Sequence, residues 1–141
     1  MKYKYKVLIV DREEKNLCGL KELLEKEAYK VEITQSATDA FEKIKDDKYH
    51  IVLIDTDMPE MDGIELLKKI KNYDALTQVI MMSEHSTMEK ILSSLEYGAN
   101  DYILKPFKNV EHVVQVIDYS AQKLERWRES IIQIVKHPAC S

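Results

Sequence analysis

The segment IVLIDTDMPEMDG, residues 51–63, joins a short apolar run directly to a group of acidic residues. The run IVLI consists of aliphatic side chains, which is typical of a strand covered on both faces of a sheet. Four carboxylates follow it, at Asp55, Asp57, Glu60 and Asp62. The segment therefore predicts a buried strand that ends in a polar loop with a high density of negative charge.

The composition fits one globular domain, since the chain has 141 residues, of which 45% are hydrophobic and 33% are charged. The formal net charge of −4 argues against a surface that binds nucleic acid or anionic lipid. The aliphatic runs VLIV and IVLI are far shorter than the ~20 residues that span a bilayer. The start of the chain also lacks the apolar core of a signal peptide. We therefore expect a cytoplasmic protein that contacts neither nucleic acid nor a membrane.

Five short apolar runs alternate with helical patterns along the chain. The runs predict strands over residues 7–10, 31–34, 51–54, 79–82 and 102–104, of which the second alternates like an edge strand. Helical faces follow from the spacing of Leu17, Leu20 and Leu24, of Phe41 and Ile44, of Ile64, Leu67 and Ile70, and of Met88, Ile91, Leu92 and Leu95. Helix ends are predicted from the capping pairs Ser36/Asp39 and Ser86/Glu89 and from Gly98. This alternation predicts an α/β fold with a parallel, doubly wound sheet.

Ligands of such sheets bind beyond the carboxyl ends of the strands, and polar residues stand at four of these ends. The first strand is followed by Asp11 and the third by Asp55, while the fourth ends at Ser83 and the fifth at Lys105. Two carboxylates, a hydroxyl and an ammonium can together hold a divalent cation and a phosphoryl group. The four histidines, His50, His85, His112 and His137, share no ligand spacing, and we expect them at the surface.

The motifs LIVD, LIDTDMPEMDG, MMS and GANDYILKPF occur in this order along the chain. In these motifs the sequence resembles the receiver domain of bacterial two-component response regulators, including the chemotaxis regulators, over residues 5 to about 117. The resemblance implies a flavodoxin-like fold with five strands in the order 2-1-3-4-5. It divides the chain into a receiver domain, residues 1–118, and a C-terminal helical extension, residues 119–141. It also implies a signalling domain that catalyses only its own phosphorylation and dephosphorylation.

The resemblance assigns a role in phosphorylation to each residue of the set. Asp55 corresponds to the phosphoacceptor, which receives its phosphoryl group from a histidine kinase or a phosphotransfer protein. Mg²⁺ is expected near Asp11 and Asp55 and at the backbone carbonyl of Asp57, because this hard cation prefers oxygen ligands. The ammonium of Lys105 is expected to offset the charge of the phosphoryl group.

The resemblance also implies a switch. Ser83 corresponds to the hydroxyl that moves toward the phosphoryl oxygens, and Tyr102 to the aromatic residue that follows it inward. The surface formed by the fourth helix, fifth strand and fifth helix would then change and bind an output partner or a second copy. The bond between Lys105 and Pro106 is expected to be cis.

Two positions depart from the family pattern. Receivers commonly place a second acid after the first strand, where this chain has Arg12, so Mg²⁺ binding is expected to weaken. Glu13 lies one residue out of register, and a shifted loop would be needed to bring it to the metal. Alternatively, the guanidinium of Arg12 stands in for part of the cation's charge. Glu84, which follows Ser83, is bulkier than the small residue usual at that position.

Residues 110–136 contain neither proline nor glycine, and Asn109 is suited to cap a helix, so one helix of roughly 40 Å is predicted. Apolar residues in a 3-4 spacing continue beyond the domain, at Ile117, Leu124, Trp127, Ile131 and Ile134, with Ser120 in the same series. The helix either forms a homodimer or leads to an output domain, or it folds back over its own domain.

Two other functions compete with a phosphorylated receiver. A receiver weakened by Arg12 could act as an interaction module that works without phosphorylation. A phosphatase of the haloacid dehalogenase type would also use the Asp-x-Asp pattern of LIDTD, but it needs an acidic pair after the lysine. The first acids found there, Glu111 and Asp118, are widely separated and form no such pair.

Overall fold

A computed structural model describes residues 4–107 and 109–137 of the protein. Five strands alternate with five helices, as the sequence predicts. The elements are β1 Lys6–Val10, α1 Glu14–Lys26, β2 Lys30–Thr34, α2 Ala37–Asp46, β3 Ile51–Asp55, α3 Gly63–Tyr73, β4 Gln78–Ser83, α4 Met88–Glu96, β5 Asp101–Leu104 and α5 Val110–Lys136. The last four residues of the predicted extension, 138–141, lie outside the described residues.

All strand pairs are parallel, and the sheet has the order β2-β1-β3-β4-β5, which confirms the flavodoxin-like, doubly wound topology. Every residue of β3 and β4 is buried, whereas the edge strand β2 is partly exposed. Helices α1 and α5 contribute to the apolar core on one face of the sheet, and α2 and α3 to the core on the other. Such coverage explains why the central strands are almost continuously apolar.

The predicted helix ends are confirmed at two places and wrong at a third. Ser36 accepts a hydrogen bond from the backbone N–H of Asp39, and Gly98 adopts a φ of 98° after α4. The cap of α4 is not Ser86 but the next residue, Thr87, whose side chain accepts from the N–H of Lys90. The hydroxyl of Ser86 instead lies 3.0 Å from that of Tyr102, a contact that sequence spacing does not reveal.

The apolar face predicted for α4 does not enter the core. Met88, Leu92 and Leu95 are all exposed, and Ser94 is the buried side chain of this helix. The hydrophobic spacing therefore predicts the helix correctly but not what covers it. Leu104 on β5 and Tyr119 on α5 are also exposed, so apolar side chains recur over the surface formed by α4, β5 and α5.

Helix α5 spans the predicted residues and begins at the predicted cap, since Asn109 accepts from the N–H of Glu111. Its buried residues end at Ala121, and Leu124 packs against the edge of the core. The helix continues to Lys136, so about four turns extend beyond its buried part. Among the described residues, no helix combines the length and apolar character needed to cross a membrane.

Candidate functional site

The structure brings together the polar residues at the carboxyl ends of the central strands. Asp11 follows β1, Asp55 ends β3, and Lys105 follows β5. Because β3 lies between β1 and β4, its terminal carboxylate occupies the middle of this edge. The lysine reaches across it from the far side of β4, and its backbone N–H donates to the carbonyl of Ser83 at 2.8 Å. The bond between Lys105 and Pro106 is cis, as expected.

The ammonium of Lys105 contacts both carboxylates. Its Nζ lies 2.6 Å from Asp11 Oδ2 and 3.4 Å from Asp55 Oδ2. The three side chains are only 8%, 0% and 6% exposed, respectively, so water screens their charges poorly. Two buried carboxylates and one buried ammonium leave the site with one uncompensated negative charge, which favours a further cation.

The pKa values reflect this environment. Burial raises the pKa of Asp55, and the negative charge of Asp11 adds to this effect, while the N–H of Asp57 and the ammonium of Lys105 act against it. Burial lowers the pKa of Lys105, but its pairs with Asp11 and Asp55 outweigh burial, and the net shift is upward. Lys105 therefore remains a cation, and Asp55 is a buried acid whose ionised form depends on its neighbours.

The loop after β1 is organised around Asp11. Asp11 Oδ1 accepts from the N–H of Glu13 at 2.9 Å, and its Oδ2 lies 3.5 Å from Asn16 Nδ2. The side chains of Arg12 and Glu13 are both exposed. The loop thus presents Glu13 to the site through its N–H and not through its carboxylate.

The four carboxylates of residues 51–63 have separate partners. Asp55 faces the lysine, whereas Asp57 Oδ1 lies 3.4 Å from Lys90 at the start of α4. Glu60 Oε1 accepts from the N–H of Ala37 at 2.7 Å, at the start of α2. Asp62 caps α3 by accepting from the N–H of Ile64. The acidic residues of this segment therefore have two roles. Some form the site, and others accept hydrogen bonds at the amino ends of two helices, where negative charge is favourable.

Gly63 sets how closely α3 approaches β3. A Cβ at this position would lie 2.6 Å from the carbonyl oxygen of Asp55 and 2.7 Å from Thr56 Cα. The N–H of Gly63 donates to the carbonyl of Thr56 at 3.1 Å, which closes the loop onto the strand. The position of Asp55 thus depends on a residue without a side chain, eight positions further along the chain.

Two buried hydroxyls lie at the same edge, Ser83 Oγ and Thr56 Oγ1, and neither has a hydrogen-bond partner among the described residues. A buried hydroxyl without a partner is costly, which indicates a place prepared for a polar ligand. Tyr102 is half-buried, and its hydroxyl pairs with that of Ser86. Glu84 is exposed, so its bulk does not fill the space at Ser83.

The oxygen atoms suit Mg²⁺, which is commonly held by one or two carboxylates and takes its other ligands from water and phosphate. Asp11 and Asp55 would supply the carboxylates, and the backbone carbonyl of Asp57 a third protein oxygen. Across residues 4–107 and 109–137, no three acidic, histidine or cysteine side chains converge as a metal site. The side chain of Asp57 contacts Lys90 instead.

Lys90 and Thr56 were not predicted as site residues. Thr56 carries no signal, because a threonine after a strand is usually structural. Lys90 carries a weak one, since a cation in the first turn of a helix is unfavourable to the helix dipole and needs a nearby anion. A phosphatase of the haloacid dehalogenase type would need an acidic pair near Lys105. Asp118 does not serve there, because its Oδ1 accepts a hydrogen bond from the hydroxyl of Tyr29 at 2.6 Å.

A family model of the response regulator receiver domain matches residues 7–118. The chain is 34% identical over 115 residues to the chemotaxis protein CheY of Bacillus subtilis (strain 168), covering 81% of this chain and 95% of that protein. It spans less than half the length of the transcriptional regulatory proteins that it also matches.

Two solved structures show the same fold. The crystal structure of a CheY-like receiver domain protein from Methanospirillum hungatei JF-1 superimposes with a TM-score of 0.84 at 32% identity, covering 86% of this chain and 97% of that chain. The solution structure of the beryllofluoride-activated NtrC4 receiver domain dimer gives a TM-score of 0.81 at 28% identity, covering 88% and 99%.

Proposed function

The chain belongs to the response regulator receiver family, and on that premise we propose that Asp55 accepts a phosphoryl group from a histidine kinase or a phosphotransfer protein. The observation that carries the proposal is the position of Lys105, whose ammonium contacts both Asp11 and Asp55 in a buried setting. A carboxylate attacks a phosphoryl donor poorly because both are anions, and a fixed cation lowers this barrier.

In the proposed transfer, an oxygen of Asp55 forms a bond to phosphorus while the bond from phosphorus to the donor's histidine nitrogen breaks. The nitrogen keeps the electron pair and takes up a proton, and the product is an acyl phosphate. Asp55 Oδ2 is the less constrained oxygen, since its contact with Lys105 is 3.4 Å, while Oδ1 accepts from the N–H of Asp57 at 3.1 Å.

We expect Mg²⁺ as the cofactor, bound by Asp11, Asp55 and the carbonyl of Asp57. When bound, the ion would neutralise charge on the phosphoryl oxygens. Arg12 replaces a further acid at this site, so the affinity for Mg²⁺ is expected to be weak. The residual negative charge among Asp11, Asp55 and Lys105 supports binding of a cation even without that acid.

Phosphorylation would be read out through Ser83 and Tyr102. Ser83 Oγ is buried without a partner, so it can turn toward a phosphoryl oxygen without breaking a hydrogen bond. Tyr102 would exchange its contact with Ser86 for a more buried position. Tyr102 lies on β5 and contacts the loop before α4, so the apolar surface of α4, β5 and α5 is the expected binding surface for an output protein or a second copy.

Residues 1–118 would form the receiver and residues 119–141 an extension that dimerises or leads to an output domain. We place the protein in the cytoplasm, where a histidine kinase presents its phosphoryl group. The domain acts on no separate substrate in this proposal and catalyses only the gain and loss of its own phosphoryl group.

The test is incubation with a small phosphodonor and Mg²⁺, followed by intact mass measurement. We expect one added phosphoryl group on the wild-type chain and none on Asp55→Asn. Asp62→Asn is the matched control, because it changes an aspartate of the same loop whose role is to cap α3, a role that asparagine keeps; it should label like the wild type. Equal labelling of Asp55→Asn would refute the assignment. Absence of labelling in every chain would favour a module that works without phosphorylation.

A further inference from the structure

Helix α5 and the opposite edge of the sheet enclose a groove of about 450 Å³, which we call the end groove. One wall is formed by Leu124, Trp127, Ile131 and Ile132 of α5. The other is formed by Tyr5, His50 and Leu76, which lie just before β1, β3 and β4. The end groove therefore lies at the amino ends of the strands, away from Asp55.

The apolar surface of the helix extends past the end groove. Ile131 and Ile132 are 49% and 40% exposed, and further along Ile134 and Val135 are 68% and 71% exposed. A single small molecule in the groove would leave these last two residues in water. Contiguous exposed apolar residues on an overhanging helix indicate a macromolecular partner.

The direction of the apolar stripe limits how a partner can approach. Ile117, Leu124 and Ile131 recur at intervals of seven residues and so lie on nearly the same side of α5. Ile117 is buried against the sheet, and Leu124 packs against the same core. The stripe of the overhanging part therefore faces the side on which the chain's own receiver lies.

If the α5 helix of a second copy packed on this stripe in parallel, its N-terminal part would collide with the receiver of the first copy. An antiparallel partner helix avoids the collision, because its own receiver lies at the far end and only its C-terminal tip approaches the end groove. Such a tip would carry Ile134, Val135 and the basic Lys136. The apolar wall of the end groove matches the exposed apolar side chains of Ile134 and Val135, so tip and groove are complementary in hydrophobicity.

We infer that the end groove binds the C-terminal tip of α5 from a second copy of this chain, in a symmetric antiparallel pair. Each copy then supplies one groove and one tip, and the contact is the same in both directions. The inference deepens the proposed self-association through the C-terminal helix and rests on it. It differs from a parallel coiled coil in one respect that can be measured: residues of the receiver, such as Leu76, become part of the interface.

The first test compares three substitutions of exposed apolar residues by sedimentation of the full chain. Leu76→Asp places a charge in the groove, Ile134→Asp places one on the tip, and Cys18→Asp is the matched control on α1. We expect the first two to weaken the dimer by about tenfold or more, because a buried carboxylate must lose its water, and the control to leave it unchanged. Circular dichroism verifies that each variant is folded.

Trp127 gives a second measurement, since it is the single tryptophan of the chain and lines the end groove. Its emission should shift to shorter wavelength as the wild type is concentrated, and this shift should be lost in Leu76→Asp. If Leu76→Asp leaves the dimer as strong as in the wild type and Ile134→Asp breaks it, the dimer is a parallel coiled coil. That result would overturn the inference. A dimer broken by Cys18→Asp, or a monomer at every concentration, would overturn it as well.

A cross-link then tests direction, in a background of Cys18→Ser and Cys140→Ser. Two proteins with different tags, one carrying Lys136→Cys and the other Lys48→Cys, are mixed and oxidised. A disulfide between the two tags is expected, because the tip of one copy reaches the groove of the other. Predominant linkage between two Lys136→Cys chains would contradict it. Leu76→Asp should still be phosphorylated on Asp55 although its dimer is weakened. Failure of the antiparallel pair can thus be distinguished from failure of the proposed phosphorylation.

Discussion

Lys105 Nζ lies 2.6 Å from Asp11 Oδ2, so the ends of two strands that do not pair with each other are joined by a buried ion pair. The contact passes over the carboxylate of Asp55, which makes a longer ionic contact, of 3.4 Å, with the same ammonium. The lysine is thus held in place by Asp11 while its charge remains available to Asp55. This arrangement separates the residue that positions the cation from the residue that uses it.

Replacing Lys105 with methionine should impair both phosphorylation and stability. Labelling by a small phosphodonor should slow by about a hundredfold, the usual effect of removing one fixed charge from such a site. At pH 7 the free energy of unfolding should fall by about 3 kcal/mol, since two buried carboxylates lose their counterion. Without Lys105 the pKa of Asp55 rises further, so its folded form binds a proton more readily than its unfolded form. The deficit should therefore shrink as pH falls toward about 5, and urea titrations that show a constant deficit would contradict this account.

Two glycines should respond oppositely to alanine. Gly63→Ala places a Cβ 2.6 Å from the backbone oxygen of Asp55, so helix and strand must separate, at a cost of about 1–3 kcal/mol. Gly19 lies inside α1, and a Cβ there meets nothing within 4 Å. Gly19→Ala should stabilise the protein by about 0.5–1 kcal/mol, because alanine favours the helix. Urea denaturation measures both, and Gly63→Ala should also slow labelling of Asp55. A Gly63→Ala variant as stable as Gly19→Ala would show that the close approach is not required.

His50 should make stability depend on pH. Burial, aided by the charge of Lys48, lowers the pKa of His50, and its Nδ1 accepts from the N–H of Lys6 at 3.0 Å. The unfolded chain binds a proton near the ordinary pKa of ~6.5, whereas the folded chain binds it only at a lower pH. Stability should therefore be complete above that pH and decline as pH falls below it. His50→Asn keeps an acceptor without titrating in this range, so its decline between about pH 7.5 and 5.5 should be smaller; equal slopes in both proteins would exclude His50 as the cause.

Lys90 should affect rate more than stability. Its pair with Asp57 is about one-third exposed on both sides, so Lys90→Ala should cost no more than about 0.5 kcal/mol. The ammonium nevertheless places positive charge beside the loop that follows Asp55. Labelling by an anionic phosphodonor should slow by roughly two- to fivefold at low salt, and less at high salt. Lys68→Ala on α3 is the control, because that lysine lies over the ring of Tyr97. Identical rates for the two variants would remove Lys90 from the site.

Much of the fold could be predicted because local patterns determine it. The apolar runs ended close to the observed strands, and α5 has the predicted bounds because neither proline nor glycine interrupts it. The strand order came from the resemblance to receivers, since periodicity does not encode which strands are neighbours. Spacing alone cannot decide whether Ser86 or Thr87 caps α4, and the contact that engages Ser86 comes from Tyr102, sixteen residues away.

The site could be predicted in part for the same reason. Parallel strands bring their carboxyl ends to one edge, so Asp11, Asp55 and Lys105 could be grouped from order alone. Lys90 was missed because its pairing depends on how α4 sits over the loop. His50 was expected at the surface, but it is half-buried, since the residues before β3 are covered by Tyr5, whose ring packs edge-on at 5.3 Å. Long-range packing of this kind leaves no trace in local spacing.

The sparse burial of α4 has a consequence for the kinetics of the domain. A helix held by one buried side chain can detach from the sheet without exposing much apolar surface, so its opening costs little free energy. Backbone amides of α4 should therefore exchange with deuterated solvent well before those of α3, which buries Leu66, Leu67 and Ile70. The domain would thus carry a loosely held helix next to the loop that follows Ser83, at the edge of the sheet where its buried ionic groups meet.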